Sequence, residues 1–198
     1  MNVDNLNFFP ILVTKVSEFL TKDECELILQ NTDRSLFSNH DALVGDAYST
    51  YLTCIENNCN AINDIEKFLP NLYDRLITVI NQYTTKLGVE PVKLDNAWMN
   101  IQSIGSTLVK HIHPMSVISG ALYLKVDENS SGILFENPNP YKNFLQVKAW
   151  NYYNYKTVWI QPKIGDLVLF PSWLEHGSYG TNNSQERIVL SFNTNSRI

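Results

Sequence analysis

Hydrophobic and polar positions repeat along this chain with two different periods, and the period changes near residue 90. Before that point it is helical. Ile65, Phe68, Leu69, Leu72, Leu76, Val79, Ile80, Tyr83 and Leu87 recur at the spacing of one helix face, and Gly88 supplies a stop. Pro70 interrupts the pattern and predicts a break or two helices. Upstream, Thr21-Lys22-Asp23-Glu24 has capping-box spacing: the Thr21 hydroxyl can accept from the Glu24 amide while Glu24 reaches back, with Leu20 and Cys25 stapling the start. A first helix is expected to run through Leu27, Ile28 and Leu29 to about Asn31. The apolar run Phe8 to Val16, with Pro10 near its start, suits an edge strand. Residues 32–60 are polar and irregular, with one strand expected around 48–54.

From Val92 the texture changes to short strands separated by turn residues, with apolar and polar positions alternating at 98–102 and an apolar run at 167–170. Strands are expected at residues 97–102 (broken by Gly105), at 108–113 (closed by Pro114), at 119–126, at 133–135 and at 167–170. The last, Arg187 to Asn193, places Arg187, Val189, Ser191 and Asn193 on one face. Close-set short strands predict a β-sandwich, barrel or jelly roll. The chain thus reads as one mainly β domain over 1–198, with helical support over about 1–90 and a β core over about 91–198. The aromatic stretch 141–159, which includes Phe144, Trp150, Tyr152, Tyr153 and Tyr155, predicts a hairpin, or a flap that covers a pocket.

Three of the four histidines fall in the β half. On an extended strand His111 and His113 share a face while Ile112 points the other way, and His176 ends a second apolar run. Two imidazoles aimed together and a third on a neighbouring strand are a ligand set for iron, zinc, copper or nickel, not for magnesium or calcium. Three protein ligands leave coordination positions open, as a reactive metal needs. Arg187, on a buried face beyond His176, requires an anion or carboxylate partner. The fourth histidine, His40, lies in a polar segment and is assigned no metal role.

Charge and cysteine usage narrow the field. A formal net charge of −5 offers no electrostatic footprint for nucleic acid or anionic membranes. The N-terminus lacks the basic and apolar blocks of a signal peptide, and no apolar run is long enough to span a membrane. Cys25, Cys54 and Cys59 form an odd set without metal-ligand spacing, so free thiols in the cytoplasm are expected.

The run His111-x-His113-Pro114, Ser119-Gly120-x-x-Tyr123-Leu124, Gly132-x-x-x-Phe135, Gly165-Asp166-Leu167-x-x-Phe170-Pro171-x-x-x-x-His176, then Arg187 with Ser191-x-Asn193, resembles the 2-oxoglutarate- and Fe(II)-dependent oxygenases of bacteria and their phages. The resemblance covers about half the chain, from Trp98 to Asn193. It implies a double-stranded β-helix, a distorted jelly roll with flanking helices. It also implies His111 and His176 as iron ligands, with 2-oxoglutarate received by Arg187 and Tyr123 and by Ser191 and Asn193 on the same strand face as Arg187. His113 stands where the best-known branches carry Asp or Glu, so it is either a third histidine ligand or a neighbour of the metal. The substrate would be a peptide or small molecule. Cupins share the fold and resemble the chain at Gly105-x5-His111-x-His113 and Gly165-x5-Pro171-x4-His176, which opens a metal-dependent dioxygenase or isomerase without 2-oxoglutarate. Their expected glutamate is missing, since Val117 and Ile118 stand there. A non-catalytic jelly-roll binding module is the third reading.

Overall fold

The structure, a computed structural model, describes residues 4, 9–57, 59–140 and 146–196. Its elements in order are β1 (Thr14–Val16), α1 (Lys22–Gln30), a 3₁₀ turn (Arg34–Leu36), β2 (Leu43–Val44), β3 (Ala47–Ser49), α2 (Tyr51–Glu56), α3 (Ala61–Glu66) and α4 (Leu72–Leu87). The remainder is β4 (Val92–Ser103), β5 (Thr107–Leu108), β6 (Ile118–Lys125), β7 (Ile133–Glu136), β8 (Thr157–Ile160), β9 (Leu167–Pro171), β10 (His176–Ser178) and β11 (Glu186–Ser196). No helix among the described residues is long and apolar enough to cross a membrane.

Among the described residues every strand pair is antiparallel. The major sheet runs β1-β9-β6-β11-β4-β3, faced by a smaller sheet β10-β7-β8, with β2-β5 beside them. Because side chains alternate across a strand, the major sheet feeds two cores. Leu122, Leu124, Leu167, Leu169, Ile188, Leu190 and Phe192 pack with Ile28, Leu72, Leu76 and Ile80 of the helices. Their neighbours Ala121, Tyr123, Val168, Phe170 and Val189 point the other way, onto Ile133, Phe135 and Leu174. Burial on both faces explains why β6 and β9 read as unbroken apolar runs. The order of the strands, with helices over one face, is the double-stranded β-helix arrangement. On α1 the predicted capping box is formed, Thr21 accepting from the Glu24 amide at 3.2 Å and Glu24 accepting from the Thr21 amide at 2.8 Å.

Two motif residues prove to be architectural. A Cβ on Gly120 would fall within 2.1 Å of the Phe192 ring, its register partner, so only a bare Cα lets that ring lie flat across β6. Asp166 is buried and accepts from Lys15 Nζ at 2.7 Å, the Lys163 amide at 2.8 Å and the Glu18 amide at 3.3 Å. It thereby pins the edge strand β1 to the turn before β9.

Several elements differ from expectation. Only Thr14–Val16 of the apolar start pairs, as the predicted edge strand, and Phe8 lies outside the described residues. Pro70 does divide the second helix, into α3 and α4, and α4 ends at Gly88 in the left-handed region (φ 69°). Residues 48–54 are not one strand: β3 stops at Ser49, whose hydroxyl accepts from the Tyr51 amide, and α2 begins. The strand expected at 108–113 ends at Leu108, because the following amides find different partners. Val109 donates to Ala42, His111 to His176 and His113 to Ser172, after which Pro114 has no N–H to offer. Of the aromatic stretch, residues 141–145 lie outside the described residues; beyond them only β8 is strand, and 151–154 form a turn rather than the arm of a hairpin.

Candidate active site

The lack of a ladder does not scatter the histidines. His111 and His176 form an isolated antiparallel bridge, and the rings of His111 and His113 still share a side, with centroids 4.9 Å apart. One nitrogen from each of His111, His113 and His176 lies within 4.8 Å of the others. Among the described residues no carboxylate or thiolate joins this group.

Two of the rings have a fixed tautomer. His111 Nδ1 is 2.9 Å from the Val109 carbonyl oxygen and His176 Nδ1 is 2.8 Å from that of Leu174. A carbonyl only accepts, so each Nδ1 carries the hydrogen and each Nε2 keeps a bare lone pair. Burial lowers all three pKa values from 6.5: His113 falls to about 4, helped by the charge His111 would carry, and His176 falls to about 3. For His111 the bond to Val109 opposes the burial effect. The rings are therefore neutral near pH 7, the form that ligates a transition metal, and this donor set could hold one.

A cavity of about 400 Å³ leads from these rings to Arg187 and Tyr123. Arg187 is 5% exposed, so its charge must be answered locally. Its Nε donates to the Ser131 carbonyl at 2.9 Å, one terminal nitrogen donates to the Gln102 side-chain oxygen, and the guanidinium sits 5.3 Å from the centre of the Tyr123 ring. These partners are neutral, and burial pushes the Arg187 pKa down. The Tyr123 hydroxyl is buried with no hydrogen-bond partner among the described residues. Among the described residues this desolvated cation has no counter-ion, and together with the orphaned hydroxyl it could receive a carboxylate.

Val189, Ser191 and Asn193 line the same cavity, as the alternation along β11 requires. Ser191 accepts from Asn100 Nδ2 at 3.4 Å. Asn193 meets His113, its Nδ2 being 3.3 Å from His113 Nδ1. Three residues not foreseen for the site form one wall: His40 stands edge-on to Tyr51 (5.3 Å), Tyr51 edge-on to Trp98 (5.0 Å), and Trp98 5.7 Å from His113. Trp98 was visible in the alternation of β4, whereas nothing local marks His40 or Tyr51. Gln102 was also overlooked, although the pairing Arg187↔Gln102 across β11 and β4 puts the two side by side. Tyr152, Tyr153 and Tyr155 line a separate groove with Phe9 and Leu174, away from the histidines.

Comparison with known proteins agrees with this geometry. The family described as "Putative 2OG-Fe(II) oxygenase" matches residues 96–193, which run from β4 to β11 and include all three histidines and Arg187. No curated protein matches the sequence. Among solved structures, the viral collagen prolyl hydroxylase of Paramecium Bursaria Chlorella virus-1 superposes with TM-score 0.58 at 14% identity, over 93% of this chain and 96% of that one. A prolyl hydroxylase from Trichoplax adhaerens, in complex with a hypoxia inducible factor peptide fragment, gives 0.60 at 17% over 91% and 82%. The non-heme alpha-ketoglutarate-dependent epimerase SnoN from nogalamycin biosynthesis gives 0.61 at 13% over 93% and 78%. At these identities the structures speak for the shared fold. With the family match over its β core, the chain belongs to the 2OG-Fe(II) oxygenases, non-haem iron enzymes with Fe(II) as cofactor and 2-oxoglutarate as co-substrate.

Proposed function

We propose that this protein hydroxylates a peptide or small molecule, with His111, His113 and His176 holding Fe(II) and with Arg187 and Tyr123 receiving the far carboxylate of 2-oxoglutarate. The observation that carries the reading is one cavity with bare imidazole nitrogens at one end and, at the other, a buried guanidinium that has no counter-ion among the described residues. Bound Fe(II) supplies oxygen activation, and the overall reaction converts substrate, O₂ and 2-oxoglutarate into hydroxylated substrate, succinate and CO₂. Arg187 neutralises the distal carboxylate with the N–H groups that Ser131 and Gln102 leave free, and Tyr123 adds a hydroxyl donor. Ser191 lines the space between, while Asn193 acts on the metal side. Phe170, Ile133 and Val189 make the walls apolar, which excludes water and strengthens the ionic contact.

The more exposed lining of the cavity includes Met115, which is 96% exposed, with Tyr51, Pro114, Asn96 and the exposed Asp95. Apolar residues beside an exposed carboxylate, in a chain of formal net charge −5, favour a neutral substrate segment over a polyanion. The solved relatives include a collagen prolyl hydroxylase, a prolyl hydroxylase bound to a peptide and an epimerase of nogalamycin biosynthesis, so both peptides and small molecules belong in the substrate screen. Free Cys25, Cys54 and Cys59 support a reducing, cytoplasmic setting. A cupin-like enzyme would leave Arg187 without a task.

The test is succinate production by Fe(II)-loaded protein given 2-oxoglutarate, oxygen and peptide or metabolite pools, read by NMR. Wild type should form succinate and Arg187→Met should not. Equal succinate from both would remove Arg187 from the reading.

A further inference from the structure

His113 differs from the other two histidines in what its Nδ1 faces. Instead of a carbonyl it meets the side-chain amide of Asn193, and that amide continues into two buried hydroxyls. Ser119 donates to Asn193 Oδ1 at 2.8 Å, and Ser119 and Ser172 share a hydrogen bond of 2.8 Å. On its other side His113 Nε2 is 3.2 Å from His176 Nε2. The latter is a bare lone pair, because His176 Nδ1 is committed to the Leu174 carbonyl. Two lone pairs cannot rest at 3.2 Å unless a proton or a cation lies between them.

We infer that Asn193 is a positioning residue that lets His113 exist in either neutral tautomer, one for the metal-free protein and one for the metal-bound protein. Without metal, Ser172 donates to Ser119, Ser119 to Asn193 Oδ1, Asn193 Nδ2 to His113 Nδ1, and His113 Nε2–H to His176 Nε2. Every link then has one donor and one acceptor. For His113 to ligate through Nε2 its hydrogen must move to Nδ1, and turning the Asn193 amide over makes this possible. His113 Nδ1–H then donates to Asn193 Oδ1, Asn193 Nδ2 to Ser119, and Ser119 to Ser172. No proton leaves the protein in the exchange. Only a side chain with a donor and an acceptor on one rotor serves both orders, which assigns a reason for Asn at 193 beside His113.

The inference rests on the metal reading, and its test separates the two. Long-range ¹⁵N–¹H correlation spectra report the tautomer of each imidazole in metal-free protein and after saturation with Zn(II). The expected result is Nε2–H at His113 without metal and Nδ1–H with it, while His111 and His176 keep Nδ1–H throughout. Asn193→Asp, which can only accept, should hold His113 as Nδ1–H even without metal and bind Zn(II) at least as tightly as wild type. Asn193→Leu, which can do neither, should weaken Zn(II) about 10-fold or more in chelator competition. Nδ1–H at His113 in metal-free wild type, or Zn(II) bound with no change of tautomer, overturns the inference and leaves the metal site standing. Wild type that takes up no Zn(II) overturns both.

Discussion

The backbones of His111 and His176 hydrogen-bond to each other in both directions, at 2.9 Å from the His111 amide and 3.0 Å from that of His176. Main chain, not side chain, thus fixes the spacing of two of the three imidazoles. Gly177 sets how closely the two segments approach, since a Cβ there would stand 2.9 Å from the Leu108 carbonyl oxygen and 3.1 Å from the Lys110 nitrogen. Gly177→Ala should therefore destabilise the fold by about 1–3 kcal/mol in urea and weaken metal binding as well. Unchanged unfolding and unchanged metal affinity would show that the close approach is dispensable.

Metal analysis of single variants tests the triad. His111→Ala, His176→Ala and His113→Ala should each lower Fe(II) affinity by more than about 100-fold, beyond what changes to outer partners usually cost. His113→Asp should keep a measurable site, because a carboxylate from the same side restores a third ligand. His40→Ala should bind iron like wild type, since His40 contacts the wall through Tyr51 and lies outside the group of three. Full iron in any of the three alanine variants would remove that residue from the ligand set.

The parts of this site that could be read from the chain are those governed by local periodicity. His111 and His113 share a side because extended backbone alternates, and Arg187, Val189, Ser191 and Asn193 line one cavity for the same reason. The apolar runs of β6 and β9 and the capping box of α1 were equally plain. What sequence reading missed depends on chain segments meeting across the fold. Residues 109–113 bond to three different segments, so no run of residues could announce a ladder or its absence. Likewise Tyr51 follows β3, which pairs with β4, His40 lies between the Ser38–Ser49 bridge and the β2–β5 pair, and Gln102 meets Arg187 through strand register. Asn193 sits on the expected face, yet only its distance to His113 reveals which neighbour it serves.

Co-substrate recognition should separate from metal binding. Arg187→Lys keeps a charge without the fork and should weaken 2-oxoglutarate by a few kcal/mol at most, whereas Arg187→Met should cost more, about 2–5 kcal/mol. Gln102→Leu removes an acceptor that orients the guanidinium and should cost about 1–3 kcal/mol. Calorimetric titration of the metal-loaded proteins reads all three. Iron content should stay at the wild-type level, and its parallel loss would indicate misfolding instead.

Acid should unfold the metal-free protein through the same histidines. Their pKa values are depressed in the fold, to about 4 for His113 and about 3 for His176, from 6.5. As pH falls below 6.5 the unfolded chain takes up these protons first, so stability present above 6.5 is lost progressively down to the folded values. The total loss should be a few kcal/mol, and His113→Gln should flatten the curve. Chemical unfolding of chelator-treated protein between pH 7 and pH 4 measures it, and a wild-type stability independent of pH across that window would contradict the buried neutral rings.

One cavity is proposed to hold Fe(II) on three histidines and 2-oxoglutarate on Arg187. Anaerobic titration of the Fe(II) protein with 2-oxoglutarate tests it most directly, because the 2-oxo acid end chelates iron only if both sites share that cavity. Wild type should show a metal-to-ligand charge-transfer band that saturates, and Arg187→Met should lose it or show it strongly weakened with iron retained. A fully iron-loaded wild type that shows neither the band nor measurable binding at millimolar 2-oxoglutarate would contradict this proposal.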